Sequence, residues 1–463
     1  KCILEYNEEK PSKNTAVVVA DPSNGEILGM ASYPTFNLND PRKLTGMYTD
    51  EEIKDMSDEE YRNNLYSLWT NYCVSESYEP GSTFKPVTVA SALEEGVVKD
   101  GDTYVCKGFE TVADYKLKCH VFSTIGSHGS LTVEQALMNS CNPYMIHLAL
   151  EMGNSRFAYY QSLFGFGKIT GIDLPGEASC EGLLYTADQL GEIELATSAF
   201  GQCYNVTMIQ MAASFCADIN GGYYYKPYTV ESILDQDGNV VESVKPTLVR
   251  QIISEETSAT VRHALEYAVT NGTVYGVQVA DKENGVKMDG YDFGGKTGTA
   301  QKLPRSEDKY VISLISAAPM SSPQLVLYVV VDEYEGNDED GSAPVQYLSG
   351  RLWYAIKDYI GLYSELDADV NEYDWQSVSP SDDSMSGESL FTDSEGDDAA
   401  LPVPPAVVAQ EQTDAAENPD ENIIDPEAAI ADPADANAAP DSNDVIDLPA
   451  QPDVQPAADA NAQ

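Results

Sequence analysis

No lysine, arginine or histidine occurs after Lys357. Residues 364–463 are rich instead in Ala, Pro, Asp, Glu, Asn and Ser. That composition buries too little apolar surface to fold. The expectation is one folded domain over residues 1–363 and a disordered acidic tail over 364–463. Basic residues are scarce throughout: 26 Lys and Arg stand against 76 Asp and Glu, for a formal net charge of −50. Phosphate contacts need a basic surface, so no nucleic-acid partner is expected. Long apolar runs are lacking too. Nothing approaches the roughly 20 residues of a membrane helix, and the run 326–331 suits a buried strand. No signal-peptide pattern is present. The chain opens at Lys1 rather than Met, and the expectation is of a fragment whose upstream segment is missing.

What is present has a clear order. Apolar β-prone runs at 15–20 and 26–31 flank the turn sequence Asp21-Pro22-Ser23-Asn24-Gly25, which predicts a hairpin. Three more strands are expected late, at 293–301, 310–317 and 324–331. Helix-period apolar positions mark 82–95, 132–152, 155–164, 207–220 and 255–269. A last amphipathic helix is expected over 344–363, with Gly361 near its end. Residues 100–130 and 223–250 read as irregular or β-rich insertions. Strands at both ends with helices between predict an antiparallel sheet built from both ends of the chain and covered by helices.

Three short strings carry the chemistry: Ser82-Thr83-Phe84-Lys85, Ser140-Cys141-Asn142 and Lys296-Thr297-Gly298. In this order they read as S-x-x-K, S-x-N and K-T-G, the serine–lysine acyl-transfer triplet. Pro80 and Gly81 break the chain before Ser82, and Pro86 is tolerated in a first helical turn. Lys85 then lies one turn from Ser82 on the same face. A neutral amine there can take the serine proton, while the helix N-terminus favours developing negative charge. Burial or a neighbouring cation must lower the lysine's pKa, and Lys296 is the expected cation. A lone S-x-x-K would equally be an N-cap serine followed by a surface lysine.

Pro143 biases Asn142 out of helix, so a break between helices is expected to aim Ser140 and Asn142 into a cleft. Ser140 can relay a proton, and Asn142 can bind a substrate amide and the lysine. Residues 294–301 fail the P-loop spacing. As a strand they place Lys296 and Gly298 on one face, Thr297 and Thr299 on the other. Glycine at 298 is expected to admit a substrate backbone, and a cation beside two threonines suits a carboxylate.

These residues resemble the transpeptidase domain of class B penicillin-binding proteins. The likeness spans about 14–363 and includes residues 19–28 and 78–85, Gly165-Phe166-Gly167-Lys168, the segment 171–177, Phe200-Gly201-Gln202, Asn220-Gly221-Gly222 and 295–301. The resemblance implies an α/β/α sandwich with a five-stranded antiparallel sheet. It implies peptidoglycan cross-linking on the outer face of the cytoplasmic membrane, and acylation by β-lactams. Ser82 would be the nucleophile and Lys85 its base, with Ser140 and Asn142 lining the cleft. Lys296, Thr297 and Thr299 would hold the donor's terminal carboxylate beside Gly298. The N–H groups of Ser82 and Thr299 would form the oxyanion hole. The implied partners are D-Ala–D-Ala stem peptides, an acceptor amine and a SEDS-family glycan polymerase. An N-terminal anchor would lie outside this chain. No metal or organic cofactor is implied.

Two other readings share the motifs. A D,D-carboxypeptidase or serine β-lactamase would use water as acceptor, with Glu177 the conceivable water activator. A non-catalytic wall-binding scaffold would not need Lys85, and a β-lactam sensor would require a transmembrane signalling partner. Eight cysteines are present. Cys106 and Cys119 are expected as a disulfide or as free thiols, because Cys106, Cys119, His120 and His128 match no standard zinc spacing. Cys141 is expected to be a packed small residue.

Overall fold

The protein is described here from a computed structural model. It covers residues 1–364, apart from 45–46, 100, 278–289, 304–306, 308 and 336–340, together with the backbone of Ile423–Ile424. The two early β-prone runs pair as an antiparallel hairpin, β1 (Ser12–Ala20) and β2 (Ile27–Tyr33). Asp21 accepts from the Ser23 N–H at 2.8 Å, and Gly25 turns the chain with φ +83°. The late strands are β3 (Gly294–Gln301), β4 (Tyr310–Ala318) and β5 (Leu325–Tyr334). Together they form a five-stranded sheet of order β3-β4-β5-β1-β2, with every neighbouring pair antiparallel. The two chain ends meet where Val17 faces Val329 and Ala16 faces Val330.

Alternation along the strands supplies two cores. Ala16, Val18, Val326, Tyr328 and Val330 enter one; Val17, Leu325, Leu327, Val329 and Val331 enter the other. Helices cover both faces. They are α1 (Cys2–Glu9), α2 (Lys85–Glu94), α3 (Val133–Met138), α4 (Asn142–Met152), α5 (Met208–Ile219), α6 (Glu255–Asn271) and α7 (Ala343–Ile356). α5 is buried at every position, as a central helix with little polar surface should be. α7 closes the second core with Val345, Leu348 and Trp353. This is the expected α/β/α sandwich.

Several boundaries differ from expectation. The segment 82–95 begins as a 3-10 turn over Gly81–Phe84 before becoming α2. α7 stops at Ile356, and a separate 3-10 turn covers Lys357–Ile360. Helices Asp50–Asp55 and Asp58–Trp69 were not expected. Their signal lay in Thr49 with Glu52 and Ser57 with Glu60, whose serine or threonine oxygens accept from the backbone N–H three residues on. The two insertions form short antiparallel pairs. Thr103–Cys106 pairs with Gly129–Thr132 and Phe109–Val112 with Tyr115–Lys118; Tyr223–Tyr225 pairs with Leu248–Gln251. The expected acidic tail lies outside the described residues, save Ser364 and the backbone strand Ile423–Ile424, which pairs parallel with Lys116 and Leu117. Among the described residues no helix is long and apolar enough to cross a membrane.

Candidate active site

The turn that carries Ser82 is held by contacts that only glycine permits. Gly81 has φ +56°, and its N–H donates to the Gly201 carbonyl at 2.9 Å. A Cβ on Gly81 would meet the Thr299 carbonyl oxygen at 2.7 Å; one on Gly201 (φ +89°) would meet the Gly81 oxygen at 1.9 Å. The turn is thereby pressed between β3 and the Phe200-Gly201-Gln202 bend. Phe84 anchors it from below, fully buried edge-on to Phe157, Phe166 and Tyr204. Gly298 serves this same contact rather than a substrate backbone. A Cβ there would strike Ser313 Oγ at 2.6 Å, Thr83 Cγ2 at 2.9 Å and the Pro80 oxygen at 3.0 Å. Gly201→Ala is expected to cost about 3 kcal/mol or more, from left-handed strain and a backbone clash together. Urea unfolding of wild type and variant measures it; an unchanged midpoint would contradict the close contact.

Lys85 is fully buried. Its Nζ donates to the Ser140 carbonyl (2.7 Å), Ser140 Oγ (2.9 Å) and Asn142 Oδ1 (2.6 Å). The break between α3 and α4 makes this possible: Ser140 sits at φ +53°, which turns its carbonyl and hydroxyl toward the amine. Burial pushes the Lys85 amine down to about 8, against an opposite pull from the Cys119 and Cys141 thiols. Lys296 is buried as well and lies well below the ordinary lysine range, first through burial and then through the Lys85 charge. Burial is thus the leading cause of both shifts. Lys296 Nζ donates to the Thr297 carbonyl at 3.0 Å.

Ser82, Ser140, Asn142, Thr297 and Thr299 line one cleft of about 340 Å³. The three motifs, separated by more than two hundred residues of chain, thus converge. A larger cavity of about 820 Å³ lies past Thr299, lined by Tyr33, Tyr310 and Tyr334. It holds no other residue of the motifs, so the smaller cleft is the chemical site.

Sequence reasoning assigned no role to two further cleft residues, His120 and Gln202. Gln202 Oε1 is buried and has no hydrogen-bond partner among the described residues, which suits an acceptor for a substrate amide. Residue type alone could not have singled it out. Glu177 is spent locally: its carboxylate accepts from Thr170 N (2.5 Å), Thr170 Oγ1 (2.7 Å) and Gly171 N (2.9 Å). It closes its own loop and is not a water activator.

All eight cysteines are free, so of the two states expected for Cys106 and Cys119 the structure shows free thiols. Cys141 is not simply packed: its thiol groups with those of Cys106 and Cys119 and with the His128 ring. His120 stays near Cys119 but turns toward the cleft.

A helix-borne serine, a buried amine one turn on and a second serine bonded to that amine, all beneath an antiparallel five-stranded sheet edge, define the serine–lysine acyl-transfer class. Residues 15–348 match the penicillin binding protein transpeptidase domain, and the chain belongs to that family, as a class B member. It is 36% identical to Stage V sporulation protein D of Bacillus subtilis (strain 168), over 80% of this chain and 53% of that one. It is 29% identical to Peptidoglycan D,D-transpeptidase FtsI of Escherichia coli (strain K12), over 72% of this chain and 50% of that one. The chain thus spans about half the length of these curated relatives. Among solved structures it is similar to the D,D-transpeptidase domain of a peptidoglycan glycosyltransferase from Eggerthella lenta. The TM-score is 0.61 at 28% identity, covering 76% of this chain and 81% of that one.

Proposed function

We propose that this chain is a peptidoglycan D,D-transpeptidase domain that cross-links stem peptides through an acyl-enzyme on Ser82. The observation that carries the reading is the set of three bonds from Lys85 to Ser140 and Asn142, beside Ser82, in the cleft walled by Thr297 and Thr299. The neutral Lys85 amine takes the Ser82 proton as Oγ attacks the penultimate D-Ala carbonyl. The N–H groups of Ser82 and Thr299 receive the oxyanion. The C–N bond breaks, and the leaving D-alanine amine takes a proton relayed from Lys85 through Ser140. An acceptor amine then attacks the ester, and its proton returns by the same path to Ser82 Oγ. Lys296, Thr297 and Thr299 hold the donor's carboxylate.

The partners that follow are a D-Ala–D-Ala donor peptide, an amine acceptor and, from family resemblance, a SEDS-family glycan polymerase. β-Lactams act as mimics of the donor. The site of action is the extracytoplasmic face of the cytoplasmic membrane.

Ampicillin is expected to add its mass to the protein once, at Ser82, and the ester is expected to persist for minutes to hours. Intact-mass spectrometry with peptide mapping reads both. Rapid loss of the adduct would favour a β-lactamase, and release of D-alanine without cross-linking a carboxypeptidase. No adduct would leave only a scaffold, and one elsewhere would overturn the role of Ser82.

A further inference from the structure

Three buried thiols and one imidazole meet beside the cleft. Cys106 ends the strand Thr103–Cys106, Cys119 follows Tyr115–Lys118, His128 precedes Gly129–Thr132, and Cys141 is the N-cap of α4. They come from four separate points of the chain, yet their ligand atoms all lie within 4.8 Å of one another. Cys106 Sγ is 3.7 Å and Cys119 Sγ 3.5 Å from His128 Nδ1. A tetrahedral ion with metal–sulfur bonds of about 2.3 Å and metal–nitrogen bonds of about 2.0–2.1 Å spaces its sulfur and nitrogen ligands about 3.5–3.6 Å apart. The observed separations are those of ligands around a shared centre, and none of the three thiols is in a disulfide. The three cysteines are at most 2% exposed.

The geometry points to a zinc site: we propose that Cys106, Cys119, His128 and Cys141 bind one zinc ion tetrahedrally and clamp the second catalytic motif to the 100–130 insertion. Three sulfurs and one nitrogen select a soft, tetrahedral metal over magnesium or calcium, which take oxygen ligands. Four protein ligands leave no open position, so the ion is structural. The surroundings fit. The Gly108 N–H points at Cys106 Sγ from 3.4 Å. A Cβ on Gly108 (φ +88°) would meet the Gly126 oxygen at 1.9 Å, so the loops bearing Cys106, Cys119 and His128 are drawn tight by a glycine contact.

The insertion has only short strand pairs and little core of its own, the setting in which a metal supplies folding energy. Its attachment matters because Cys141 stands between Ser140 and Asn142. Cys141 makes no side-chain cap bond to α4, and its thiol turns instead to those of Cys106 and Cys119. Asn142 Nδ2 also donates to the Lys118 carbonyl, at 3.5 Å, just before Cys119. Fixing Cys119 and Cys141 to one ion therefore fixes the backbone that presents Ser140 and Asn142 to Lys85.

The full chain, purified under reducing conditions from zinc-supplemented cells, is expected to carry one zinc per molecule by plasma mass spectrometry. Cobalt exchanged for zinc is expected to give the thiolate charge-transfer and strong d–d bands of a tetrahedral site. Cys106→Ser and His128→Ala should lose the metal, while Cys180→Ser and Cys216→Ser keep it; far-UV circular dichroism verifies folding. The metal count and cobalt spectrum of the wild type stand even if a variant misfolds. A folded chain with no stoichiometric zinc, with iron instead, or with a disulfide among the three thiols would overturn the site. The clamp, which rests also on the acyl-enzyme reading, predicts that zinc removal by a chelator slows acylation by a fluorescent penicillin about 10–100-fold. Added zinc should restore the rate. Zinc bound in full, with acylation indifferent to its removal, would sink the clamp and leave both the site and the acyl-enzyme standing.

Discussion

Ser82→Ala is expected to abolish covalent labelling by penicillins, lowering it about ten-thousand-fold or more, while leaving the fold intact. The loss is this large because covalent catalysis has no substitute route once the attacking oxygen is gone. The fold should survive because Ser82 is only half-buried and its hydroxyl supports no core contact, whereas its neighbours Thr83 and Phe84 are buried. Thr83 Oγ1 holds the turn by donating to the Pro80 carbonyl at 2.7 Å, and the substitution leaves that bond alone. Labelling with fluorescent penicillin and thermal unfolding are the paired measurements. Labelling that persists in the variant would move the nucleophile elsewhere and remove the basis of the proposed function.

The second large effect is expected at Lys85. Lys85→Met keeps the aliphatic bulk and removes the amine. Acylation should fall about 100- to 10,000-fold, the usual range for losing a positioned base. Stability should change much less, by about 2 kcal/mol in either direction. Two terms oppose each other. Holding the amine fully buried, with its pKa pushed from 10.5 down to about 8, costs on the order of 3 kcal/mol, which methionine relieves. Against this, the Ser140 carbonyl, Ser140 Oγ and Asn142 Oδ1 lose their donor. Ser140 and Asn142 line the cleft, so water can replace part of that bonding. A variant that unfolds readily yet acylates at the normal rate would make Lys85 a structural residue and Ser82 dependent on another base.

The chemistry was legible because its parts are local. Ser82 and Lys85 are one turn apart on any helix, and Pro143 marks a break between helices, although that break lies one residue earlier than expected: Asn142, expected out of helix, is the first residue of α4 and Cys141 its N-cap. The hairpin at residues 21–25 and the alternation of 294–301 are likewise written in neighbouring residues. Thr297 and Thr299 face the cleft as alternation predicted. The unexpected helices over 50–69 were legible in principle, through Thr49 with Glu52 and Ser57 with Glu60, but their apolar periodicity is weak because few of their residues are buried.

Other features depend on which distant segments touch. Gly298 is a glycine because Pro80 and Thr83, more than two hundred residues earlier, press against it. The lowered pKa of Lys85 follows from burial, which no local pattern encodes. Gln202 matters through an unpaired oxygen aimed into a cleft built by other elements. The cysteine spacing matched no known ligand pattern because the fourth member, Cys141, lies outside the insertion that holds the other three.

The amino-acid sequence by itself determined the reactive groups, their local spacing, the turn that opens the sheet and the acidic composition of the C-terminal hundred residues. These depend on backbone geometry over a few residues and on side-chain chemistry. Tertiary structure alone decided how deeply both lysines are buried, which glycine yields to which neighbour, and which four side chains gather around one point. Those outcomes turn on separations of a few ångströms between segments far apart in the chain, and only packing sets such separations.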